Sequence, residues 1–108
     1  MSGAVGFLET RGLTPAIVAL DVMVKSARVE VMQVEINDLC GVCVKITGSV
    51  DAVSAAIPVG RQVAEAMQGA PVSHVITDLS DEARRAVDSP REYNPLIQQD
   101  VVFLAEAA

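Results

Sequence analysis

Cys40-Gly41-Val42-Cys43 is where chemistry would first be sought in this chain, because two thiols separated by two residues serve redox exchange and metal binding. In redox proteins such a pair opens a helix, whose dipole lowers the thiol pKa. Here it opens an alternating run, Val42, Val44 and Ile46, that reads as a strand. Residues three apart on a strand face opposite sides, so the sulfurs diverge and no local disulfide is expected. Two thiols fall short of the four ligands of a structural metal site, and the single histidine, His74, has no second imidazole to join it. Glu9, Glu35, Asp38 and Asp51 are candidate acids and bases, yet they form no known constellation. No P-loop, GxGxxG or Ser/His/Asp arrangement occurs. Catalysis is therefore not expected.

Composition narrows the remaining classes. A chain of 108 residues supports one core. Half of it is apolar, but with two Phe, one Tyr and no Trp, Ala and Val must fill that core. Small aliphatics let helices approach a sheet closely while burying less area per residue, so burial against other copies would supply what one subunit lacks. The net charge is −6, and among eight basic residues only Arg84 and Arg85 are adjacent, which argues against nucleic acid as a partner. No apolar run is long enough to span a membrane, and the N-terminus has no basic segment ahead of a hydrophobic one. The expectation is a cytoplasmic protein.

The elements that must position these residues follow from periodicity. Val5, Phe7 and Leu8 begin a first strand that ends at Arg11-Gly12. Thr14 reads as an N-cap and Pro15 as the first residue of a helix over 15–26, with a stripe of Ile17, Leu20, Val24 and Ala27 widened by Ala16, Ala19 and Met23. Val29, Val31 and Gln33 alternate with Glu30, Met32 and Val34 in a second strand. Residues 41–47 form a third, joined to it by the loop 36–40. Ser49 caps a second helix to about Met67, with a bend expected at Pro58. Residues 72–76 form a fourth strand, and 80–87 a short helix capped by Ser80 or Asp81. This order predicts an α+β fold of the split β-α-β, ferredoxin-like type: a four-stranded antiparallel sheet, two main helices on one face and a short extra helix. Two regions are expected, a domain at 1–88 and a C-terminal extension at 89–108 with an apolar stretch at 101–104.

The run Gly6-Phe7-Leu8-Glu9-Thr10-Arg11-Gly12, followed by a helix carrying Asp21, Met23, Lys25 and Ala27, resembles the opening of single-domain bacterial microcompartment shell proteins. That family writes GxxET(R/K)G and then a helix ending DxMxKxA. The similarity covers about residues 4–76, and the element order is the family's. The resemblance implies a structural tile: flat cyclic hexamers with a central pore, packed edge to edge with other shell proteins around enzymes. It places Lys25 at the hexamer edge. After the fourth strand the family usually writes HVIPRP, whereas this chain writes His74-Val75-Ile76-Thr77-Asp78-Leu79, so Asp78 stands near the place of an edge arginine. His74 is read as a strand histidine at a subunit contact.

The resemblance also makes the loop Asn37-Asp38-Leu39-Cys40-Gly41 the pore lining. Six copies of Asp38 around one axis would repel anions and attract cations. No cofactor is expected from the residues themselves. The family includes members with an iron–sulfur cluster held by pore cysteines from several subunits, which makes Cys40 a candidate ligand by resemblance alone. Cys43 is read as a core or interface thiol. The alternative function is a small-molecule-binding regulatory domain of the same fold, because fold alone does not choose function.

Overall fold

A computed structural model describes residues 3–37 and 39–88. Asp38, the extension 89–108 and its apolar stretch 101–104 lie outside the described residues. The order is β1 (Ala4–Arg11), α1 (Leu13–Ser26), β2 (Val29–Ile36), β3 (Gly41–Gly48), α2 (Val50–Ala66), β4 (Val72–Ile76) and α3 (Asp81–Asp88). The four strands form one antiparallel sheet, as the sequence predicts, and lie in the order β2-β3-β1-β4.

The core lies between the sheet and the paired helices α1 and α2. Leu8, Val42, Val44 and Ile46 point to it from the strands, and Ala16, Ala19, Met23, Val53, Ala56, Ile57 and Ala64 meet them from the helices. Each large side chain fully buried here stabilises the fold by about 1.5–3 kcal/mol relative to exposure. The alternation on β3 is as read from the sequence, with Val42, Val44 and Ile46 all buried.

Three local expectations are corrected. Helix α1 starts at Leu13, directly after Gly12, and has no side-chain cap. Thr14 is thus inside the first turn, where Pro15 is still tolerated because those amides have no helical partner. The core stripe of α1 is also rotated from the one read in the sequence: Ala16, Ala19 and Met23 are buried, while Ile17 is 47% and Val24 43% exposed. In β2, the register shifts between Val31 and Gln33. This bulge brings Val34, opposite Val44, onto the same face as Val31, opposite Ile46, and sends Gln33 to the other face beside Lys45.

Helix α2 is capped as expected, with Ser49 Oγ accepting from the Ala52 amide at 3.1 Å. It runs from Val50 to Ala66 through the exposed Pro58. Ser80 caps α3 by accepting from Ala83 N, and Arg84 Nη2 reaches back to the Gly3 carbonyl at 3.4 Å.

Candidate functional site

The loop between β2 and β3 is held by one side chain. Asn37 Oδ1 accepts from the amides of both Leu39 and Gly41, each at 2.9 Å, and the Asn37 amide donates to the Gly41 carbonyl at 2.9 Å. Asparagine suits this place because its carbonyl mimics a backbone acceptor two residues upstream of the amide it binds. Gly41 is the matching half of the pair: a Cβ there would lie 2.5 Å from Asn37 Nδ2. Cys40 adopts the left-handed conformation, with φ of 65°. Its carbonyl accepts from the Gly12 amide at 2.7 Å. The Arg11 amide in turn donates to the Gly69 carbonyl at 2.7 Å, so the β1–α1 turn ties the hairpin loop to the α2–β4 turn.

Beside the loop lies a cavity of about 260 Å³, lined by Glu9, Thr10, Arg11, Asn37, Leu39, Gly41, Ala70 and Val72. Leu39 is 87% exposed, the most exposed of the large apolar side chains described. The loop residues Asn37, Leu39, Cys40 and Gly41 are thus brought together.

The two cysteines separate. Cys40 is exposed in the loop, and Cys43 is half-buried on β3. Cys43 is not in the core: it sits opposite Glu9 on β1 and Glu35 on β2, on the sheet face away from the helices. Burial pushes its thiol above the ordinary value of 9.0, Lys45 draws it down, and Glu9 and Glu35 add to the rise. Among the described residues no group of three or more His, Cys, Asp or Glu side chains gathers to hold a metal ion. One chain offers a single exposed loop thiol, Cys40, which by itself does not make an iron–sulfur site.

On the same outer face Lys45 forms a cluster that the sequence reading missed. Its side chain is 12% exposed, and Nζ lies 2.8 Å from Gln33 Oε1 and 3.3 Å from Glu35 Oε2. The bulge in β2 makes this possible by turning Gln33 outward, and nothing in the simple alternation signalled it. His74 is exposed on β4, opposite Phe7.

Lys25 and Asp78 lie apart from the loop and from each other in the chain. Lys25 is near the end of α1, where its charge suits the helix dipole, and it pairs with Asp21 at 2.8 Å. Both partners of that pair are exposed, so the bond adds little stability. Asp78 is exposed between β4 and α3. A second feature missed from sequence is an uncovered apolar row on α1, with Leu13 at 51% exposure beside Ile17 and Val24. Spacings of four and seven place these three on one side of the helix. Val31 and Ile36 on the edge strand β2 are exposed as well.

Comparison with known proteins identifies this arrangement. The BMC domain family model matches residues 4–78. The carboxysome shell protein CsoS1A of Hydrogenovibrio crunogenus is 39% identical over 74 residues, covering 68% of this chain and 77% of that protein. The carboxysome shell protein CsoS1 of Prochlorococcus marinus is 39% identical over 77 residues, covering 70% of this chain and 75% of that protein. A microcompartment protein from Desulfitobacterium hafniense shares the fold, with a TM-score of 0.70 and 21% identity over 86% of this chain. This chain spans about half, 52%, of that longer structure. With the family model covering most of its described length, and with relatives 39% identical over more than two thirds of the chain, it belongs to the BMC domain family of bacterial microcompartment shell proteins.

Proposed function

We propose that this shell protein works as one wedge of a cyclic hexamer, with the loop Asn37, Asp38, Leu39, Cys40 and Gly41 around a central pore and the far end of α1 at the rim. Its role is structural, as in its carboxysome relatives, and its setting is the shell of a bacterial microcompartment. Family membership favours this over a regulatory ligand-binding domain.

The observation that carries the reading is the course of α1. The helix begins just after Gly12, whose amide is bonded to the loop at Cys40, and ends after Lys25. Fourteen residues at about 1.5 Å each set Lys25 about 20 Å from the loop. An element running from axis to rim lies along the boundary between neighbouring wedges. The side row Leu13, Ile17 and Val24 is apolar and uncovered in one subunit. A ring needs a repeated heterologous contact, and such a row gives one of its two faces. Lys25 and Asp78 are then the edge groups available to an adjoining hexamer or another shell protein, and an acid at 78 asks for a basic partner.

In this reading residues 1–88 are the shell domain and 89–108 a C-terminal extension. Enzymes enclosed by the shell are further partners. Electron microscopy of the purified chain tests the proposal: six-fold rings with a central hole, or extended layers of them, are expected. Uniform particles of single-domain size would refute it.

A further inference from the structure

We infer that the boundary between subunits carries a pH sensor: His74 on the edge strand β4 of one copy docks at the acidic cavity beside the edge strand β2 of the next, and its protonation tightens the ring. This rests on the ring reading above and adds one pair of groups to it.

The sheet has two edges, β2 and β4. Helix α1 packs on β2 and α2 packs on β4, so the uncovered row of α1 shares a flank with β2, and β4 belongs to the other flank. A heterologous ring presses one flank against the other. β1 ends and β3 begins where Gly12 is bonded to Cys40, so the strands lead outward from the loop as α1 does. Groups that meet across a boundary in such a ring lie at equal distances from its axis. Gln33, Lys45, Phe7 and His74 are paired in turn straight across the outer face of the sheet, which sets His74 and Gln33 level at opposite edges. His74 of one copy therefore arrives at Gln33 of the next.

The bulge in β2 shapes what it meets there. Met32 has no partner on β3, and beside it opens a cavity of about 430 Å³ whose lining includes Glu30, Met32, Gln33, Val87 and Asp88. No Lys or Arg is among the described residues that line it. Lys45 is held by Gln33 and Glu35, and Arg84 reaches the Gly3 carbonyl. Glu30 and Asp88 are exposed and make no ion pair among the described residues. An imidazole complements this lining in both of its states, because the neutral ring packs on Met32 and Val87 and the protonated ring gains two carboxylates. His74 is exposed, and it is the chain's only histidine. In its own subunit it is flanked by Val72 and Ile76 and faces Phe7, with Glu9 one diagonal step away on β1, while Arg61 of α2 reaches β4 at Ser73 on the other face. The ring thus holds the proton more tightly than separated subunits do. The gain is whole below the imidazole's value in the separated subunit and is lost as pH rises through the higher value in the ring.

Native mass is measured first on full-length wild type, Glu30→Gln, Glu30→Gln/Asp88→Asn and His74→Gln. The imidazole is then titrated by NMR on isotope-labelled histidine. Within one subunit Glu30 and His74 are three strand spacings apart, about 14 Å, which exceeds the screening length of ordinary buffer, so an effect of Glu30 on His74 has to cross the boundary. The double variant should weaken proton binding at His74 about two- to fivefold, the factor for a partly exposed ion pair. The wild-type ring should also dissociate at lower concentration at about pH 6 than at about pH 8, and His74→Gln should erase that difference. An unchanged titration in the double-variant ring overturns the inference while leaving the ring intact. Should the double variant form no ring, Glu30→Gln is titrated in its place. Should neither assemble, His74→Gln decides alone: a ring as sensitive to pH as wild type overturns the inference, and loss of that sensitivity upholds it. A wild type that forms no ring removes the inference and the ring reading together, and the mass measurement detects that case.

Discussion

The amide of Gly12 donates to the carbonyl of Cys40 at 2.7 Å, so the turn that launches α1 is strapped to the far side of the β2–β3 hairpin. Gly12 has φ of 97° and ψ of 153°, a combination open essentially to glycine alone. One residue therefore both sets the direction of α1 and steadies the loop. In the proposed ring this bond joins the helix that would run from axis to rim to the loop that would line the opening.

Gly12→Ala should destabilise the subunit by about 1–3 kcal/mol, the usual cost of holding a side chain in that region. Urea unfolding followed by circular dichroism measures it. Hydrogen exchange at the loop amides of Leu39 and Gly41 should quicken in the same variant, because the strap at Cys40 is disturbed.

Ile17→Glu places a charge on the uncovered row of α1 without entering the core, since Ile17 is 47% exposed in the subunit. Its far-UV circular dichroism should match wild type, and subunit stability should change by at most about 0.5 kcal/mol, as for other surface substitutions. Native mass spectrometry should show the hexamer replaced by smaller species. A hexamer of unchanged abundance would move the subunit boundary to another face.

Cys43 gives the fold a pH dependence at its alkaline end. The folded thiol titrates above its ordinary 9.0 because burial disfavours the thiolate. Its contribution to stability is whole below that value and is lost as pH climbs through the raised one. Wild type should therefore lose more unfolding free energy than Cys43→Ser as pH rises from below 9.0 to above it, as read from denaturant midpoints. Removing Lys45, which draws the thiol down, should shift its titration further upward. At pH near 8 a thiol reagent should modify the exposed Cys40 first.

Lys25→Ala should leave the ring intact and weaken its packing into layers, because the residue is exposed and its pair with Asp21 adds little to the subunit. Asp78→Arg reverses the sign of the second edge group and should change how readily layers form, in the direction set by the charge it meets. Light scattering during assembly reads both, and hexamer mass supplies the control.

The sequence carried the fold well where local chemistry and periodicity agree. Ser49 and Ser80 cap their helices as their types suggest, and Val42, Val44 and Ile46 line the core face of β3. It misled where two apolar faces share one helix. Ile17 and Val24 repeat with helical spacing as well as Ala16, Ala19 and Met23 do, and periodicity does not say which row meets the sheet. Packing decides: the slimmer row lets α1 sit close to the strands. The bulge in β2 was hidden for a similar reason, because Met32 and Val34 are apolar on either side of Gln33 and no glycine marks the break. In the loop the residues were found but not their bonding. The sequence places Asn37 in the connecting loop, and its double acceptance from Leu39 and Gly41 emerges only once the strands fix the loop ends.

Self-association through the flanks of α1 is the claim on which the account stands, and sedimentation velocity of the full-length chain over a dilution series tests it most directly. The account predicts a single boundary at six times the subunit mass, persisting to low concentration. A folded species sedimenting at the mass of one subunit throughout the series would contradict it.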